Sequence, residues 1–155
     1  MTPGIDVAKK NGIAHKVHEY DHDTSSDSYG LEAAEKLGVS VARVFKTLVV
    51  TLENKELAVA VIPVSEMLSM KLMAKATGAK KATMAAQADV ERATGYVLGG
   101  VSPLGQKKRL RTIIDSSAKN QHTVYVSAGR RGLEIELSPD DLERLVNGVL
   151  AKLCQ

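Results

Sequence analysis

The hydrophobic positions of this chain change period several times, and each change predicts an element. Residues 45–52 form an apolar run rich in β-branched side chains, and residues 57–62 form another after the turn residues Glu53-Asn54-Lys55. Two such runs around a polar turn predict a β-hairpin. In residues 133–137, Leu133, Ile135 and Leu137 alternate with Glu134 and Glu136, which is the period of a strand with one buried face. Residues 124–128 predict its partner, joined through Gly129-Arg130-Arg131-Gly132. Weaker strand patterns lie at residues 14–20, 80–84 and 109–114.

Helical spacing takes over elsewhere. Thr2 and Pro3 read as the cap and first-turn proline of a helix that ends near Gly12. Residues 30–37 end at Gly38, a residue suited to the left-handed position after a helix. Residues 66–77 place Leu68, Leu72, Met73 and Ala76 on one side, and residues 86–94 stop at Gly95. Ser138-Pro139-Asp140-Asp141 supplies a cap, a first-turn proline and helix-start acids. Leu142, Leu145, Val146, Val149, Leu150 and Leu153 continue at helical spacing, which predicts a C-terminal helix through that stretch. Residues 21–28 are polar, and their place between Tyr20 and Tyr29 makes them a candidate lip over a site. Intermixed helices and strands with a hairpin predict one α+β domain over residues 1–155. Its sheet is expected to be mixed and mostly antiparallel rather than doubly wound.

Composition narrows the picture. A chain of 155 residues can bury a core. Net charge is +3, from 21 basic and 18 acidic residues, too small an excess to argue for nucleic-acid binding, so local clustering matters more. Cys154 is the one cysteine, which excludes an intrachain disulfide and favours a reducing compartment. No apolar run nears the ~20 residues of a membrane span. Residues 1–6 carry no signal-peptide pattern. A cytoplasmic protein with no membrane partner is expected.

The densest chemical signal is Gly99-Gly100-Val101-Ser102-Pro103-Leu104-Gly105, followed at once by Gln106-Lys107-Lys108-Arg109. Glycines let a ligand approach main-chain N–H groups, Pro103 stiffens the turn, and the cations give an anion-attracting rim. The alternative is a tight turn between elements. Gln106 and Lys107 after Gly105 rule out a Walker A loop. Lys46 shares its strand face with Leu48, Val50 and Leu52. An amine on an apolar face costs free energy unless an anion is near; alternatively it reaches solvent from the strand start. Residues 127–132 form either a phosphate-binding loop with two arginines or a plain hairpin turn. Lys80, Lys81, Lys107, Lys108, Arg109, Arg111, Arg130 and Arg131 would neutralise several phosphates if they share a face; otherwise they are a solvated surface. A strand would place His15 and His18 on opposite faces, and no Cys or acid cluster completes a site, so neither a metal nor another cofactor is expected. No G-x-S-x-G, Ser–His–Asp or Cys–His set is apparent.

Four segments resemble the YbaK family of aminoacyl-tRNA deacylases: Tyr20-Asp21-His22-Asp23, Phe45-Lys46-Thr47-Leu48, the string from Thr94 to Lys108, and the string from Tyr125 to Leu133. They follow family order, with the resemblance running from about residue 2 to 145. The resemblance implies a barrel-like mixed sheet flanked by helices, of the prolyl-tRNA synthetase editing-domain type. It implies a trans-editing enzyme that removes cysteine from mischarged tRNA for proline, with that tRNA and prolyl-tRNA synthetase as partners. Lys46, Gly99 and Gly100 would act at the reacting end. Tyr20, Tyr29, Thr47, Ser102, Pro103, Gly105, Ser127, Gly129 and Glu134 would bind substrate, while Lys107, Lys108, Arg109, Arg130 and Arg131 hold tRNA. Tyr29 stands where relatives often have Phe, and Glu134 where some have Asp.

The family chemistry needs no enzymic nucleophile. The substrate thiol attacks its own ester carbonyl, the tRNA leaves, and water opens the thiolactone. A free thiol has a pKa of only ~8.5, so selectivity comes from chemistry as well as from pocket fit, which resolves ~1–3 kcal/mol. Loop N–H groups would stabilise the oxyanion, at ~3–4 kcal/mol per donor. Two alternatives remain: a deacylase for alanyl-tRNA for proline acting through water, and a non-catalytic module that binds tRNA or the synthetase.

Overall fold

The Thr2 hydroxyl accepts the Ile5 N–H at 3.2 Å, and Pro3 opens α1 (Pro3–Lys10). In chain order there follow β1 (His15–Glu19), α2 (Tyr29–Leu37), β2 (Phe45–Leu52), β3 (Leu57–Pro63), α3 (Met70–Thr77), β4 (Ala82–Met84) and α4 (Gln87–Thr94). After the glycine-rich loop come β5 (Arg111–Asp115), β6 (Val124–Arg130), β7 (Leu133–Leu137), α5 (Pro139–Val146) and β8 (Val149–Ala151). This computed structural model describes residues 1–23, 25 and 29–155. Part of the candidate lip, residues 24 and 26–28, lies outside them.

The strands form two sheets. The smaller has the order β1-β7-β6 and is wholly antiparallel; the larger has the order β4-β2-β3-β5-β8. In the larger, β4, β2 and β3 are antiparallel, while β5 runs parallel to both β3 and β8. The mixed, mostly antiparallel α+β domain is thus present, but it does not close into a barrel. Among the described residues the two sheets are tied by one bridge, Val44 to Tyr125.

The larger sheet is buried on both faces. Phe45, Val49, Val59, Val61 and Ile114 pack against Val126, Ile135 and Leu137 of the smaller sheet, with Ile5 and Ala8 of α1. Val50, Leu52, Ala60, Ile62 and Ile113 pack on the other side against Met73 of α3 and Leu153. Residues 58–63 are therefore buried without interruption, as a central strand requires. Fully burying a side chain such as Met73 contributes ~1.5–3 kcal/mol.

Two expectations about helices are corrected. The C-terminal helix stops at Val146. Asn147 takes φ 51°, and residues 149–151 leave to pair with β5, placing Val149 opposite Ile113. A three-residue strand is too short to show alternation, so its apolar residues mimicked a helical stripe. α3 begins at Met70 rather than near residue 66, because the Ser69 hydroxyl accepts the Leu72 N–H at 3.1 Å. Leu68 instead bridges to Cys154.

Candidate active site

The β7 alternation places Glu134 on the sheet face away from the central core, opposite Ser127 of β6. That face is not left to solvent. Ala33 and Ala34 of α2 pack with Val44, Val64 and Tyr125 over it, and Gly30 permits the close approach: a Cβ there would sit 2.2 Å from Val64 Cγ1. Between this cover, the start of β2 and the glycine-rich loop lies a cavity of about 490 Å³.

Eight of the residues predicted from sequence meet in its wall: Tyr20, Tyr29, Lys46, Thr47, Gly99, Ser127, Arg131 and Glu134. Lys46 is half-buried, and its amine has no hydrogen-bond or ion-pair partner among the described residues. The Thr47 hydroxyl is buried and equally unpartnered. Glu134 is 6% exposed, and burial pushes its carboxyl up to about 8. Burial, then the neighbouring Glu134, holds the Tyr20 phenol at about 12, so that it stays a hydrogen-bond donor.

The glycine-rich run divides its work. Gly99 (φ 91°) lies against the Tyr29 ring, where a Cβ would crowd Tyr29 Cε2 at 3.1 Å, and it lines the cavity. Gly100 does not line it. Its N–H donates to the Val97 carbonyl at 3.0 Å, and a Cβ would lie 2.7 Å from Arg130 Cα. The cavity-lining loop amides left without an acceptor among the described residues are those of Gly99 and Val101, since the Leu98 N–H donates to Glu91 at 3.3 Å. Ser102, Pro103 and Gly105 also lie outside the cavity wall. Ser102 is fully buried, accepting the Leu104 N–H at 3.1 Å. Gly105 fits against Pro3, where a Cβ would be 2.6 Å from the carbonyl. Gly129 sits against Tyr96 and Thr2. Ser102, Gly105 and Gly129 pack against residues 2–4 at the start of α1.

Arg131 belongs to the wall. It pairs with the buried Glu32 at 3.1 Å, donates to the Asp23 carbonyl, and stacks 4.3 Å from the Tyr29 ring centroid. Lys107, Lys108, Arg109 and Arg130 are exposed and outside the cavity. Arg109 borders a separate cleft with Asp141 and Arg144. His15 Nδ1 lies 2.6 Å from the Ile13 carbonyl and His18 Nε2 2.9 Å from Glu136, and the two residues fall on opposite faces of β1.

Sequence reading missed Glu32, Gly30, Leu31, Leu98 and Val101. Leu31 and Leu98 are largely exposed at the cavity wall. The available signal for α2 was a glycine directly before a run that mixes Glu32 with two alanines. A broader cleft of about 610 Å³ lies near Asp115 and Cys154. There, burial and Asp115 push the thiol up to about 12, which leaves almost no thiolate at neutral pH.

The family model for the aminoacyl-tRNA editing domain matches residues 27–145. A curated Enterococcus faecalis (strain ATCC 700802 / V583) protein, EbsC, named as a Cys-tRNA(Pro)/Cys-tRNA(Cys) deacylase, is 42% identical over 142 residues, covering 90% of this chain and 87% of its own. The uncharacterised YwhH of Bacillus subtilis (strain 168) is 32% identical, over 72% and 70% of the two chains. A solved structure of a hypothetical protein superposes with TM-score 0.88 at 26% identity, covering 99% of both chains. Another, described as a trans-editing enzyme for prolyl-tRNA synthetase, shares the fold with TM-score 0.86 at 22% identity, over 100% of this chain and 99% of its own. The match over most of the length, on a chain whose family motifs fold around one cavity, establishes that this protein belongs to the aminoacyl-tRNA editing domain family.

Proposed function

We propose that this protein is an aminoacyl-tRNA deacylase that removes cysteine from mischarged tRNA for proline by substrate-thiol attack on the ester. The observation that carries this reading is the meeting, in one cavity wall, of Lys46, whose amine has no hydrogen-bond or ion-pair partner among the described residues, with Gly99 and Val101, whose amides have no acceptor among them. No protein nucleophile is required. The substrate sulfur bonds to its own carbonyl carbon, the ester C–O bond breaks, and the thiol proton passes to the departing ribose oxygen. Water then opens the thiolactone.

Each residue has a physical part in this scheme. The amides of Gly99 and Val101 face the oxygen that becomes anionic during attack, where one such donor is worth ~3–4 kcal/mol. Lys46 offsets the negative charge of the tRNA terminus. Tyr20, Tyr29 and Thr47 line the aminoacyl end, and Arg131 holds Tyr29 in place through its stacking contact. Lys107, Lys108, Arg109 and Arg130 lie beyond the cavity, where they suit the phosphates of the tRNA body.

Support for the substrate comes from the name of the Enterococcus faecalis relative. Prolyl-tRNA synthetase is the proposed partner, and the cytoplasm the proposed place of action. Among the described residues no helix is long and apolar enough to cross a membrane. The test is deacylation of cysteinyl-, alanyl- and prolyl-tRNA for proline side by side, with cysteinyl-tRNA for cysteine as a fourth substrate. Rapid loss of cysteine is expected, with alanine and proline retained. Cleavage of the alanyl ester, which has no thiol, would instead demand a water route. Binding without accelerated hydrolysis would leave a recognition module.

A further inference from the structure

Among the described residues, four charged side chains line the cavity or directly back it, and two of them, Arg131 and Glu32, are ion-paired at 3.1 Å. Lys46 and Glu134 make no side-chain hydrogen bond or ion pair among the described residues. An amine suits the anionic end of a nucleotide ester. A buried carboxyl needs a different occupant.

We infer that Glu134 binds the α-amino group of the aminoacyl ester and so makes that amine a requirement for cleavage. The inference rests on the deacylase reading above. Glu134 lines the cavity, opposite Ser127 on β6 and His18 on β1. Its carboxyl has no donor among the described residues, and its electrostatic neighbour is the Tyr20 phenol. A carboxyl removed from water without a partner is costly, and a ligand that brings an ammonium offsets that cost with a charge-assisted hydrogen bond. On an aminoacyl-tRNA the cationic group beside the ester carbonyl is the α-amine, one carbon away. Burial keeps the carboxyl largely protonated near neutral pH in the empty cavity, and an arriving ammonium favours its ionised form. Esters whose amine is blocked or absent, such as peptidyl-tRNA, gain no such interaction and are spared.

The experiment uses tRNA for proline charged with cysteine or with 3-mercaptopropionate, which keeps the thiol and the ester but lacks the amine. It is smaller than cysteine, so loss of cleavage is not a matter of fit. Each rate is divided by the uncatalysed hydrolysis of the same ester, which removes the amine's own activating effect. Wild-type protein is expected to prefer the cysteinyl ester by about tenfold or more in normalised kcat/KM, the size of one hydrogen bond to a charged group. Glu134→Gln is expected to abolish the preference, and Glu134→Asp to keep part of it, with thermal melts confirming that each folds. Equal normalised rates for wild type would overturn the inference while leaving the deacylase reading intact. A wild-type ratio retained in Glu134→Gln would also overturn it. Should only Glu134→Asp fold, an undiminished ratio there would do the same. Wild-type protein inactive on every cysteinyl-tRNA would remove both.

Discussion

Lys46 and Glu134 line one cavity, and what each does follows from its having no hydrogen-bond or ion-pair partner among the described residues. Because the Lys46 amine makes no hydrogen bond or ion pair among the described residues, its removal has little structural cost. Lys46→Ala is expected to lower kcat/KM on cysteinyl-tRNA at least tenfold while the melting temperature stays within a few degrees. Activity near wild type would take Lys46 out of the reaction. Glu134 behaves differently, because its environment favours the neutral form. Its folded pKa of about 8 lies above the ordinary 4.5, so between those values the folded state keeps a proton that the unfolded state has released. The stability contributed by this proton is fully present below about pH 4.5, declines as pH rises, and is gone above about 8. Glu134→Gln has no proton to lose. Its stability relative to wild type should rise from pH 5 to pH 9 by a few kcal/mol, at most about 1.4 kcal/mol per pH unit. Urea unfolding at pH 5, 7 and 9 measures this, and parallel pH profiles for the two proteins would contradict it. The sequence showed Glu134 as the polar half of a strand alternation. Its burial depends on α2 covering that face, a tertiary fact that the alternation does not encode.

α2 owes its seat to a glycine. Gly30 carries no Cβ where Val64 Cγ1 would stand 2.2 Å away, and α2 in turn sets Tyr29 and Leu31 along the cavity. Gly30→Ala must push α2 outward. The expected cost is ~1–3 kcal/mol, as for other overpacked sites, with a marked fall in deacylation. Trimming the obstacle in Gly30→Ala/Val64→Ala should recover much of the activity, since the two sites share one contact and do not behave additively. A double variant no better than Gly30→Ala would mean that α2 is placed by something else. The elements most legible in the sequence were those whose signals are local: the hairpin of β2 and β3, and the helices started by Thr2 and Ser138. β8 was misread because three residues cannot display a period. Asn147-Gly148, a pair suited to the left-handed turn that ends α5, was the stop signal within the apparent helix.

Across the molecule, segments far apart in sequence converge: residues 44–48, 98–101 and 127–134 all contribute to one cavity. Composition and motif identified these segments but not the direction each residue faces. Within seven residues the glycine-rich run serves the cavity at Gly99 and α1 at Gly105, a division that depends on packing partners from the N-terminus. The cations divide in the same way. Arg131 is spent on Glu32 and Tyr29 inside the protein, whereas Lys107 and Lys108 are exposed, their backbone anchored to the end of α4 through the Thr94 and Ala93 carbonyls at 2.9 Å. A tRNA body held by such exposed lysines releases counterions as it binds, so its affinity falls with salt in proportion to the phosphates neutralised. If both lysines meet phosphate, Lys107→Gln/Lys108→Gln should flatten the plot of log affinity against log salt by about 1.4–1.8, at roughly 0.7–0.9 per contact. The loss of affinity should be similar for cysteinyl- and uncharged tRNA, because these contacts are remote from the amino acid. Filter binding from low to moderate salt reads both quantities. An unchanged slope would return the Lys107–Lys108 pair to plain solvated surface and require the tRNA to approach the cavity over another face.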